Sequence, residues 1–210
     1  MVMAKKSGEF EKAPPGVHLA RCIRLIDLGT QLNQRFQNYQ HKVRLVWELP
    51  QSLMQKGEAA GKPYIVSKLY TLSLSEKSHL RNDLKSWRGR DFTDQELDGF
   101  DLNAVVDKCC MLNVVHENDY ANIAAIMPLP ANTPVPTRIN DVLIFDLSRF
   151  DQAAFDQLSD KTKETIKASL EYQDYVSNMN NENQLQQEQA DADRHYAVAQ
   201  GQDFNDDIPF

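Results

Sequence analysis

Between residues 42 and 49 the chain reads "KVRLVWEL", with Val43, Leu45, Trp47 and Leu49 apolar at every second position. Lys42, Arg44 and Glu48 fill the gaps, and Val46 is the exception. A period of two puts one set of side chains on each face of a strand, so this stretch predicts a half-buried β-strand. "GVHLARCIRLIDLG" before it is rich in Val, Ile and Leu and is closed by Gly29, and "YIVSKLYTLSL" after the polar loop "QKGEAAGKP" reads as a third strand. The period then changes. Leu80, Leu84 and Trp87 recur at i, i+4 and i+7, which predicts a helix with Ser75 as N-cap and an end at Gly89. Thr93 and Glu96 have capping-box spacing and predict a short second helix. "KCCMLNVVHE" and "YANIAAIMPLP" give strands four and five, joined by a tight turn at Asn118–Asp119.

Three strands, a helix and two strands predict a mainly β protein with accessory helices. The order matches an OB-fold-like five-stranded barrel with a helix between strands three and four. Small SH3-like barrels and α+β sheets produce similar strings and stay open as alternatives. "NDVLIFDL" reads as a sixth strand or an extended packing segment. Phe155, Leu158, Thr162, Ile166 and Leu170 lie near helical spacing and predict a C-terminal helix docked on the barrel. In Asn178–Gln189 eight of twelve residues are Asn or Gln, too little apolar surface to offset ordering entropy. The expected organisation is a flexible N-terminal arm over residues 1–15, an OB-like domain with its C-terminal helix over 16–176, a disordered linker over 177–202 and an acidic tip over 203–210.

The net charge of -7 conceals a gradient. Residues 1–92 hold 16 Lys and Arg against 8 Asp and Glu; residues 93–176 hold 6 against 15; residues 177–210 hold 1 against 7. A basic half followed by an acidic half and tail points to a polyanion partner. No apolar run approaches a membrane span and no secretory signal opens the chain, so a cytoplasmic protein without a membrane partner is expected. Cys22, Cys109 and Cys110 have neither zinc nor redox spacing and read as buried thiols. The five histidines form no metal or catalytic pattern, His116 beside Glu117 being the most site-like, and no nucleotide-binding glycine loop or nucleophile elbow is present. These features favour a binding protein over an enzyme, with no cofactor and no metal.

A non-specific single-strand binder needs cations that track phosphates and aromatic faces that stack bases. The candidate cations are Arg21, Arg24, Lys42, Arg44, Lys68, Arg81, Lys85, Arg88 and Arg90. The candidate platforms are Phe36, Tyr39, Trp47, Tyr64, Tyr70, Trp87 and Phe92. Trp47 and Trp87 sit on apolar stripes and read better as core. Tyr64 and Tyr70 share a strand face with Lys68 and are the favoured aromatic pair. "WRGRDF" is the densest basic and aromatic cluster, and a helix C-cap explains it equally well.

The chain ends "DFNDDIPF". Asp203, Phe204, Asp206, Asp207, Ile208, Pro209 and Phe210 resemble the acidic tip of bacterial single-stranded DNA-binding proteins, with Asn205 where that family often has Asp. The resemblance implies that the final Phe enters an apolar pocket on a partner enzyme, its carboxylate meets a basic residue, and the acids steer the encounter. The N-terminal glycine and strand pattern of that family is not found. "LYTLSLSEKSHLRNDLKSWRGRDFTDQE" instead resembles phage-encoded proteins, some of them single-stranded DNA-binding, over residues 16–130. Together the resemblances imply a phage protein in the bacterial host cytoplasm. It would bind single-stranded DNA in replication, recombination or repair and recruit host replication and repair proteins through the tip. A recombination mediator or annealing protein, and a decoy that titrates tip-binding host enzymes, are the alternatives; a homo-oligomer is compatible with either.

Overall fold

The structure, a computed structural model, describes residues 11–201. The strands are β1 (Gly16–Asn33), β2 (Asn38–Leu53), β3 (Pro63–Thr71), β4 (Cys109–Glu117), β5 (Tyr120–Met127) and β6 (Leu143–Phe145). The helices are α1 (His79–Arg88), α2 (Asp94–Asp98), α3 (Gln152–Asp156), α4 (Asp160–Lys167) and α5 (Leu170–Gly201). The protein is mainly β. The sheet runs β3-β2-β1-β4-β5 with every neighbour antiparallel, and β6 adds to β1 in parallel. The return of β4 to lie beside β1 gives the 4-1-2-3 order of a Greek key.

β1 explains why the molecule has two apolar layers. It carries irregularities between Cys22 and Arg24 and between Asp27 and Gly29, and each resets the alternation of faces. Ala20, Cys22 and Leu25 therefore point into a main core with Val43, Leu45, Trp47 and Leu49 of β2. Ile23, Ile26 and Leu28 point the other way, onto β6, α3 and α4 through Phe145, Phe155 and Ile166. Gly29 does not close the strand, as expected from sequence; at φ +68 it forms the second irregularity, and pairing continues to Asn33.

The main core is sealed at one end by α1, whose Leu80, Leu84 and Trp87 are buried. Trp87 Nε1 donates to the Cys109 carbonyl at 2.9 Å, and its ring lies 5.9 Å from that of Trp47. The N-cap is Ser78, one turn later than the predicted Ser75, because the Ser78 hydroxyl accepts from Arg81 N–H. Gly89 ends the helix in the left-handed conformation, and Thr93 and Glu96 complete the capping box of α2.

Three expectations are corrected. The five-stranded sheet is not closed into a barrel: β3 and β5 end the hydrogen-bonded path and share only the core beneath them. The residues predicted as one C-terminal helix form α3, α4 and the start of α5, broken where Ser159 and Ser169 turn the chain so that Phe155 and Ile166 reach β1. The Asn/Gln-rich stretch expected to be disordered continues α5 through Gly201. No Pro or Gly interrupts residues 170–200, and Gln, Glu, Ala and Leu are good helix formers. Every residue from Val176 to Tyr196 is exposed, so this part of the helix is held by propensity and local pairs such as Arg194–Asp191.

Within the expected flexible arm, residues 11–13 are tied to the sheet. Glu11 accepts from Tyr64 O–H, Gln55 N–H and Lys56 N–H, while Ala13 is buried and its carbonyl accepts from His116 Nε2. Residues 1–10 of the arm and residues 202–210, with the acidic tip, lie outside the described residues. Among the described residues no helix is long and apolar enough to cross a membrane.

Candidate nucleic-acid interface

Register decides which predicted residues come together. Arg24 lies opposite Val46, which lies opposite Ser67; Ile26 lies opposite Arg44, which lies opposite Leu69; Lys42 lies opposite Thr71. These residues share the face of β1-β2-β3 turned away from the main core. Successive outward residues on one strand stand roughly 7 Å apart. The C-terminal layer covers the β1 side of this face and leaves β3 open, with Ile65 and Leu69 exposed.

A cleft of about 300 Å³ runs between the face and the start of α4, lined by Arg24, Arg44, Ile65, Ser67, Asn140 and Thr162, among others. Arg44 donates to the Thr162 hydroxyl at 3.0 Å, and Lys42 donates to Gln40 Oε1 and Thr71 Oγ1. Among the described residues none of Arg24, Lys42 and Arg44 has a carboxylate partner. Partial burial lowers the pKa of both Lys42 and Arg44, since neither gains an anion to offset lost hydration. Cations held this way are favourable sites for an incoming phosphate.

The other predicted cations are already paired. Arg21 meets Asp107 at 3.1 Å and the Pro136 carbonyl at 3.0 Å, which ties β1 to the loops beyond α2 and β5. Lys68 reaches Asp83 of α1 at 2.7 Å. Arg81 and Lys85 converge on Asp91, Lys85 at 2.5 Å. Arg88 and Arg90 both grip Glu96, and Arg88 also lies over the Phe92 and Phe100 rings at 4.5 and 4.9 Å. Hydrogen bonds from Arg90, Thr93 N–H and Arg88 hold the Glu96 carboxyl down at about 2. "WRGRDF" is thus an ion-paired clamp that fixes α2 against α1.

The favoured aromatic pair is corrected outright. Tyr64 and Tyr70 are core residues, because the face they share with Val66 is the inward face of β3. Their hydroxyls end on Glu11 and Asp83, and neither ring is open to a base. Trp47, Trp87 and Phe92 are buried as well. Of the seven candidate platforms only Phe36 and Tyr39 are exposed, at 64% and 59%. Both stand at the β1–β2 hairpin, beyond the strand pair that carries Lys42 and Arg44, and Arg35 lies over the Phe36 ring at 5.3 Å. Arg35 was not among the predicted cations. A sequence signal existed: from Leu28 to Trp47 the chain has three Lys or Arg and no Asp or Glu.

The cysteines and His116 take structural roles. Cys22 and Cys110 are buried, and burial pushes the Cys22 thiol up to about 12. His116 spends its Nε2 on the Ala13 carbonyl. The chain matches no protein-family model, no curated protein and no solved structure.

Proposed function

We propose that this protein binds single-stranded DNA without sequence preference on the outer face of β1-β2-β3. Arg24, Lys42 and Arg44 take phosphates there, and Arg35, Phe36 and Tyr39 of the hairpin engage bases. The observation that carries the reading is three cations on one sheet face without carboxylate partners, with exposed aromatic rings on the hairpin beyond them. Stacking is tolerant of sequence because every base has a π face. The Greek-key order, the helix between β3 and β4, and cations on the first and second strands support an OB-fold open between β3 and β5. In that fold this face and the loop between strands one and two receive oligonucleotides.

Asp203–Phe210 recruits host replication and repair proteins, as the resemblance of "DFNDDIPF" implies. Both parts fit a phage protein working in the host's DNA metabolism. Anisotropy of labelled oligo(dT) against a duplex of equal length, across a salt series, tests the binding claim. Preferential, salt-sensitive binding of the single strand is expected; no binding would exclude it and leave the decoy reading.

A further inference from the structure

Where the sheet fails to close, a groove of about 640 Å³ lies between β3 and β5. Its lining is mostly apolar, with Met54, Val66 and Ala121 inside and Ile65 and Tyr120 at the rim. Tyr120 is 72% exposed, the most open aromatic ring of the described residues. Ile65 and Ser67 line both this groove and the Arg24–Arg44 cleft, so the two are continuous across β3.

One end of the groove is barred. Glu11 is tied to Tyr64, Gln55 and Lys56 beside β3. The next two residues reach the other side, Lys12 to Asp119 at 3.1 Å and the Ala13 carbonyl to His116. Glu11–Ala13 is therefore a strap across the seam. An extended peptide adding itself to β3 or β5 would run into the strap. A flat group entering from the arginine side would not.

We propose that a base of the bound strand crosses β3 at Ser67 and stacks on Tyr120 in this groove. Its phosphate stays in the Arg24–Arg44 cleft, and Lys12 stands on the groove's far rim. The proposal rests on the single-strand reading above and adds a base site outside the sheet face.

The test compares labelled oligo(dT) with an abasic phosphodiester strand of equal length, using the intact protein, Tyr120→Ala and Tyr120→Phe. Stacking contributes about 1–3 kcal/mol per base, so Tyr120→Ala should weaken oligo(dT) binding about 5-fold or more. The salt slope should not change, Tyr120→Phe should restore affinity, and the abasic strand should not distinguish the three proteins. Equal oligo(dT) affinity for the intact protein and Tyr120→Ala would overturn the base site while leaving the face in place. Loss of abasic binding together with oligo(dT) binding would show a structural effect and overturn it too. If Tyr120→Ala spares oligo(dT) but abolishes binding of a labelled DFNDDIPF peptide, the groove is a peptide site and the proposal fails. No binding of either strand by the intact protein defeats the parent reading, and this inference with it.

Discussion

Glu48 is fully buried on the outward face of β2 and holds the loop that frames the binding cleft. Its carboxylate accepts three hydrogen bonds: Ile139 N–H at 3.0 Å, Asn140 N–H at 2.8 Å and Asn140 Nδ2 at 2.7 Å. All three partners are donors, so only an acceptor fits. Glu48→Ala strands these donors, at about 1–3 kcal/mol for each that stays dry. Ile139 is itself exposed, so its amide rehydrates, and the expected net loss is about 2–4 kcal/mol. For a chain of this length that lowers Tm by about 5–15 °C. Glu48→Gln keeps the volume but turns an NH₂ toward donors, and should lose roughly half as much. Urea unfolding with the linear extrapolation, run beside thermal melts, measures both variants. Asn140 would also leave the cleft, so hydrogen exchange at residues 139–140 should rise in the folded protein. A Glu48→Ala protein within about 1 kcal/mol of the parent, with exchange unchanged, would contradict this account of the loop.

Three further outcomes are expected. His41 donates to Asp27 at 2.6 Å and lies 3.5 Å from Glu171, and the Asp27 hydrogen bond raises its pKa above 6.5. Its contribution is therefore complete below 6.5 and lost as pH rises through the folded value. The stability gap between the parent and His41→Ala should be largest near pH 6 and shrink in alkali; a gap that grows with pH would refute the sign. Gly29→Ala places a Cβ 2.6 Å from Ser169 Cβ at φ +68, so it should cost about 2 kcal/mol or more and undock the start of α5, read by chemical denaturation. Deleting Ile208–Phe210 should leave oligo(dT) affinity intact and abolish capture of tip-binding host enzymes in a pull-down; undiminished capture would defeat the recruitment claim.

What the sequence revealed followed from local rules. β2 alternates because one face meets the core, and Leu80, Leu84 and Trp87 mark α1 by spacing alone. The turn at Asn118–Asp119 was legible because both residues take positive φ, a conformation Asn and Asp tolerate. β1 was harder to place because it is buried on both faces and irregular twice, which erases its period. Tyr64 and Tyr70 misled because Lys68 interrupts their face; its ion pair with Asp83 lets a lysine stand on an inward row. The paired cations were misread for a related reason. Asp83, Asp91, Glu96 and Asp107 are brought to them by the fold of α1, α2 and the loop beyond, which charge counting does not anticipate. The unpaired set, Arg24, Lys42 and Arg44, emerged only from strand register.

The most direct test of the central claim is the salt dependence of oligo(dT) binding by the parent and by the Arg24→Ala, Lys42→Ala, Arg44→Ala triple variant. For single strands each neutralised phosphate contributes about -0.7 to the slope of log K against log salt. The parent should bind, and the triple variant should show a slope shallower by about 2 with its fold retained by circular dichroism. An unchanged affinity and slope in the triple variant would contradict the claim.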